Sequence, residues 1–297
     1  MKVMAKLNKQ SDNYNYIVEA APSFHQLPDG GMVKDGFIVN RRTDNFDVLG
    51  KVTTQYGIVQ NADLISAAED AFKQEGLTDF KRTIVVTKDG ARMNAVYDFR
   101  NKTQKLAVGD EVGLRLTVQN SFDGSLPASF LAGLLRLVCS NGMVRMDKDS
   151  TFGLTKKHGV GISTAFVHDA LLKAIEGWSK STTIFNKLAT VALTQEQGHA
   201  ILTRLTEGKV LSEKVREGIA QIWTMPTHRE DSARNLYNLY NAATQHLTHD
   251  VAPTRFDLAN RTSASILAAF ERAAEDGSRL ARLTAPLPAD VSLVALN

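Results

Sequence analysis

Lys81, Arg82, Lys88, Arg92 and Arg100 are followed by Arg115, Arg136, Arg145, Lys148, Lys156 and Lys157, and Tyr56, Tyr97, Phe99 and Phe122 accompany them. Ammonium and guanidinium groups neutralise phosphate, and ring faces stack on bases whatever the sequence. Such a mixture suits a surface that tracks a single nucleic-acid strand. The candidate contacts are Arg82, Lys88, Arg92, Arg100, Arg115, Lys156 and Lys157. Net charge is only +3, but it is unevenly spread. Residues 80–165 hold 13 Lys/Arg against 7 Asp/Glu, residues 1–79 hold 8 against 11, and residues 166–297 hold 14 against 14. A local excess of this size attracts phosphate by counterion release, and it also describes an ordinary solvated face. Lys156-Lys157-His158-Gly159 has the same two readings: a phosphate seat before a glycine turn, or an exposed basic loop.

Other chemistries have weaker claims. There is no Gly-rich phosphate loop ending in Lys-Ser/Thr, no dinucleotide glycine pattern after a strand, and no His-Glu-x-x-His. Among seven histidines only His246 and His249 are spaced i, i+3. They lack carboxylate or cysteine companions at ligand spacing, and Asp250 points elsewhere if the helix continues, so they read as a polar helix end. Cys139, the single cysteine, lies in an apolar run and reads as a small buried hydrophobe. No serine occupies a Gly-x-Ser-x-Gly elbow, and Asp110, Glu111, Asp147 and Asp149 read as solvated loop carboxylates. The expectation is a protein that is not an enzyme and that needs no metal or cofactor. A hydrolase or nucleotide-processing enzyme would require a spatial cluster around His158 or Asp123.

The elements that must position the cations follow from periodicity. With 43% hydrophobic and 23% charged residues the chain is of globular composition, and 297 residues favour two domains. No apolar run reaches the roughly 18 residues of a membrane span, and the first residues lack the apolar core of a secretory signal, so a cytoplasmic protein with no membrane association is expected. Residues 1–15 read as a polar leader, and 16–20 start the fold. Segments 37–42 and 46–53 form a hairpin around Thr43-Asp44-Asn45. Asn61 or Asp63 then caps a helix that Gly76 ends. The clearest hairpin joins 80–87 to 91–100 through Lys88-Asp89-Gly90. On its return strand Met93, Ala95, Tyr97 and Phe99 share the packed face, while Arg92, Asn94, Val96, Asp98 and Arg100 share the open one. Phe99 reads as core, and Tyr97 stays open between core and stacking platform.

Residues 111–119 alternate again, and Asp123-Gly124 turns the chain toward an apolar segment, 130–138, that fits a central strand or a buried helix. Asn141-Gly142 repeats the turn signal. From about residue 163 the period becomes helical, over 166–178, 194–207, 212–223, 232–247 and 260–275. Thr194 with Gln197, Ser212 with Val215, and Thr262 with Ser265 are the capping candidates, and the tail after Gly277 reads as irregular. The fold class is therefore α+β. A mixed, mostly antiparallel, hairpin-rich sheet domain with one early helix occupies 1–162, and a helical domain suited to assembly occupies 163–297.

Three segments resemble the phage- and plasmid-associated family catalogued as domain of unknown function 932. They are Leu49-Gly50 through Tyr56 to Gln60-Asn61; Asn120-Ser121-Phe122-Asp123-Gly124-Ser125 with the 136–141 run; and Tyr240-Asn241-Ala242-Ala243-Thr244-Gln245. Lys157-His158 is similar to a basic-His step in relatives. The resemblance supplies no catalytic residues; it implies an accessory protein of mobile elements, in DNA metabolism or interference with the host. In outline, a basic hairpin sheet followed by helices is similar to phage single-strand annealing proteins, a fold-level analogy. The expected activity is binding of single-stranded DNA, for annealing or protection, by a homo-oligomer. The alternative is a phage or plasmid protein with an anti-defence role, which binds and inhibits a host defence or transcription protein.

Overall fold

The computed structural model describes residues 14–106, 109–136, 142–144, 153–251 and 255–287. Cys139, Asn141, Arg145, Asp147, Lys148 and Asp149 lie outside the described residues, as does most of the expected polar leader. The architecture is α+β, with antiparallel sheets first and helices after them. Strands β1 (Val18–Gln26), β2 (Met32–Arg42) and β3 (Val48–Thr53) form a three-stranded sheet in sequence order. Helix α1 (Asn61–Gln74) follows. A second sheet has the order β4 (Lys81–Thr87), β5 (Arg92–Lys105), β6 (Glu111–Ser121), β7 (Ala128–Arg136) and β8 (Gly142–Val144), and β9 (Gly153–Lys156) also pairs with β7. The pairs β1–β2, β2–β3, β4–β5 and β7–β9 are antiparallel. The described part of the apolar 130–138 segment, up to residue 136, is thus a strand, and Ala128, Phe130, Ala132 and Leu135 of β7 are closed to solvent.

Seven helices complete the described chain: α1, then α2 (Val167–Thr190), α3 (Gln195–Glu207), α4 (Glu213–Thr224), α5 (Leu236–His249), α6 (Phe256–Glu275) and α7 (Gly277–Thr284). Two of the expected caps form. The Thr194 hydroxyl accepts from the Gln197 amide at 3.1 Å while the Gln197 side chain accepts from the Thr194 amide at 2.8 Å, and Ser212 accepts from the Val215 amide. Others do not. Thr262 and Ser265 lie inside α6, and the Ser265 hydroxyl donates to the Arg261 carbonyl instead of capping. The expected irregular tail begins later than Gly277: Gly277–Thr284 is helical, because Asp276 accepts from the amides of Ser278 and Arg279 and so caps α7, and residues from 288 lie outside the described ones. Helix α2 extends well past residue 178. Its Ser- and Thr-rich middle has weak intrinsic propensity, but Phe185 and Leu188 are buried, and that packing carries the helix through.

By contact the described chain forms two compact units. One is drawn from Met1–Lys102, Leu114–Gly133 and Met146–Trp178, the other from Thr103–Gly113, Leu134–Arg145 and Ser179–Asn297. In the first, Phe72 of α1 meets Tyr97, Phe99 and Phe130 with ring centroids 4.8, 5.3 and 5.8 Å apart, an edge-on aromatic core. In the second, Phe185 stacks on Tyr240, Gly198 lies against the Trp223 indole, and Gly218 lies against the His246 ring. Among the described residues no helix is long and apolar enough to cross a membrane.

Candidate nucleic-acid interface

The turn between β6 and β7 is where the singled-out residues of the first unit meet. Gly124 adopts φ +71°, which glycine reaches without strain, and the Asp123 carboxylate accepts from the Ser125 amide at 2.9 Å. Gly50 of β3 packs directly on this turn: a Cβ there would stand 2.4 Å from the Asp123 Cα. The Asn40 carboxamide donates to the Phe122 carbonyl at 2.7 Å, and the Tyr56 hydroxyl donates to the Ser121 carbonyl at 2.6 Å. Asn120, fully buried, donates to both the Val59 carbonyl and the Asn61 side-chain oxygen, each at 2.8 Å. Asn61 therefore does not cap α1. It is the first helical residue, and its side chain is committed to Asn120, while the preceding Gln60 bridges both the amide and the carbonyl of Val18.

His158 joins the same cluster. Its ring stacks on Tyr56 at 4.8 Å with an interplanar angle of 16°, and Nδ1 lies 3.1 Å from the Gly57 carbonyl oxygen. Burial holds the imidazole pKa below its usual value, against the opposing pull of the Gly57 carbonyl, and burial pushes the Tyr56 phenol up to about 12. A Cβ on Gly57 would stand 2.2 Å from the Gly159 carbonyl oxygen, so the 56–57 and 158–159 segments are in close backbone contact. His158 is thus a packed, neutral ring.

Two of the seven candidate cations are tied to this turn, and two more stand at the end of the strand that pairs with the start of β7. Lys88, in the tight turn before β5, reaches the Asp123 carboxylate at 3.3 Å. Arg92 bonds the Ser125 hydroxyl at 2.5 Å and stands 3.8 Å from the Asp123 carboxylate. Burial opposes ionisation of Asp123, but hydrogen bonds from Ser125 and Lys88 hold its pKa below the usual carboxylate value. Lys156 pairs across the ladder with Ala128, the first residue of β7, and Lys157 precedes His158; both lysines are exposed. Neither has an ion-pair partner among the described residues.

The other three stand apart. Arg115 makes a two-pronged bond to Asp98, 2.8 Å at Nη2, with both side chains mostly covered. Arg82 lies opposite Tyr97 in the ladder, on the packed face, and pairs with Glu69 of α1 at 2.6 Å. Arg100 is exposed farther along β5. The β5 face expected to be open is largely covered, since Asn94 and Val96 are buried and Gln119 donates to Asn94 at 2.7 Å. Tyr97, Phe99 and Phe122 are closed to solvent, so the rings available near the cations are the half-buried Tyr56 and His158.

In the second unit His246 and His249 lie in the last turn of one helix. Helix α5 does not continue past His249, and the carboxylate of Asp250, its C-cap residue, lies 3.0 Å from His246 Nδ1. Among the described residues no group of three or more His, Cys, Asp or Glu side chains is placed to hold a metal. The 240–245 segment is buried structure: the Tyr240 hydroxyl pairs with Ser263 at 2.8 Å and Asn241 donates to Asp231 at 3.1 Å.

The model of the family described as "Domain of unknown function (DUF932)" matches residues 48–283. The chain belongs to this family. Within the DUF932 match lie all seven candidate cations and all three segments that carried the resemblance, whereas β1 and β2 precede it. No curated protein and no solved structure matches the chain. Nothing in the linear chain assigns Tyr56, Asn61 and Asn120 a joint role. Two asparagines and a tyrosine beside turn signals were the available sign, and only the fold brings them to one turn.

Proposed function

We propose that this chain binds nucleic acid without catalysing a reaction on it, as an accessory protein of a mobile element, and that single-stranded DNA is the form it takes best. The observation that carries the reading is the gathering of Lys88, Arg92, Lys156 and Lys157 about the 121–128 turn, with the two lysines exposed and free of ion pairs among the described residues. Charges at the end of an edge strand and on the loop after it suit a flexible strand that can follow them, and the adjoining Tyr56–His158 pair adds ring surface. Arg115 and Arg82 serve the fold in this reading, because each is occupied by a carboxylate.

The test is titration of a labelled single-stranded oligonucleotide and its duplex at two salt concentrations, with wild type and Lys156→Glu/Lys157→Glu. Wild type should bind the single strand more tightly and lose affinity with salt. The variant should bind at least about tenfold more weakly, with a salt slope shallower by about 1.4, the release expected for two phosphate contacts on a single strand. Absence of binding at low salt would overturn the reading in favour of a protein that binds and inhibits a host defence or transcription protein.

A further inference from the structure

The three-stranded sheet has an inward and an outward face. Asn40 and Gly50, partners in the ladder, meet the 122–123 backbone, so Val33, Asp35, Phe37, Val39 and Arg41 of β2 alternate outward. An uncovered sheet face should be polar, yet Val33 is 50% exposed, Phe37 45%, and Val48, paired with Arg41, 62%. Met32 and Phe24, toward the hairpin end, are exposed as well, but the same alternation puts them on the other face. Apolar exposure gathered on one hairpin marks an interaction surface.

From this face we infer that it is the contact through which a second copy of the chain docks. Its charges decide the occupant. Glu19 pairs with Arg41 at 2.8 Å and Asp35 pairs with Lys51, two of each sign. A two-fold contact sets a patch against itself, and a balanced patch meets its own image without net repulsion. A phosphate backbone would find no excess positive charge here, because each of these cations already faces a carboxylate. Edge pairing through β1 is blunted, since this edge strand is interrupted by Pro22 and by a register shift between Pro22 and Phe24, and the contact proposed is face to face.

The size of the face sets the strength. Strands of 9, 11 and 6 residues, at about 3.4 Å per residue and about 4.8 Å apart, make a face of about 420 Å². Two such faces bury about 850 Å² in all, below the size of a stable interface, so association is weak, reversible and dependent on concentration. This places self-association in the N-terminal sheet, where sequence reasoning expected it in the helices. It does not depend on the nucleic-acid proposal, since Lys156 and Lys157 lie outside this sheet.

Sedimentation velocity from about 1 to about 100 µM tests it, with circular dichroism on each variant. Wild type should rise from 32.5 kDa toward twice that mass. Val33→Asp/Phe37→Asp should move the midpoint of association at least about tenfold higher in concentration with an unchanged dichroism spectrum. Lys51→Glu, at an exposed side chain, gives the face a net negative charge and should weaken association in the same direction. The inference is overturned if wild type stays monomeric throughout, or if both variants associate as wild type does. Loss of oligonucleotide binding by Val33→Asp/Phe37→Asp with wild type monomeric would also overturn it, and would make the face a nucleic-acid contact.

Discussion

Replacing Gly50 with alanine should destabilise the chain through one identifiable collision. The new methyl would stand 2.4 Å from the Asp123 Cα, 2.8 Å from its Cβ and 3.0 Å from the Phe122 carbonyl oxygen. Backbone cannot swing aside as a flexible side-chain end can, so the turn must retreat by about 1 Å to reach ordinary contact. Retreat pulls the Phe122 carbonyl from the Asn40 carboxamide, a buried bond of 2.7 Å. Overpacking costs about 1–3 kcal/mol and a lost buried hydrogen bond about 1–2 kcal/mol, while the lower unfolded-state entropy of alanine returns about 0.4–1 kcal/mol. The net loss is about 2–4 kcal/mol. At about 2–4 °C per kcal/mol the thermal midpoint should fall by about 5–15 °C. Calorimetry and urea unfolding measure this, with Gly277→Ala as the control, since a Cβ there meets nothing within 4 Å. A Gly50→Ala protein within about 0.5 kcal/mol of wild type would refute the packing of β3 on the 120–125 turn.

Acid should weaken the fold through His158, whose folded pKa lies below its ordinary 6.5. Above pH 6.5 both states hold the ring neutral and its contribution is full. As pH falls below 6.5 the unfolded chain takes up the proton first, and stability drops until the folded ring protonates as well. His199, lowered by burial in the same way, adds to the effect. Urea midpoints measured from pH 7 to 5 should therefore decline, and His158→Gln should flatten the decline; an unchanged slope would count against the buried neutral ring. Arg115→Gln should cost about 2 kcal/mol by leaving the mostly covered Asp98 carboxylate without its partner, while oligonucleotide affinity holds. Reduced affinity at unchanged stability would show instead that Arg115 reaches phosphate.

Much of the fold was legible because local rules and tertiary packing agree. Lys88-Asp89-Gly90 and Asp123-Gly124 demand left-handed backbone, and both make the turns expected of them. Thr194 with Gln197 satisfies helix amides within four residues, so the cap needed no distant partner. Where a distant partner competes, the local rule fails. Asn61 was expected to cap a helix and is held by Asn120 instead, and α2 runs on through residues whose propensity alone would stop it.

The candidate site divides along the same line. Sequence by itself determined the supply of cations between residues 80 and 165, the hairpins that carry them, and the family segments, because charge and two-residue periodicity are properties of the linear chain. Only the tertiary structure decided which cations are spoken for. Arg82 meets a carboxylate on a helix, Arg115 one on the neighbouring strand, and Lys156 and Lys157 none among the described residues. It also decided that Val33, Phe37 and Val48 face outward, since alternation along β2 names two faces and only packing against the 122–123 backbone says which one is inside.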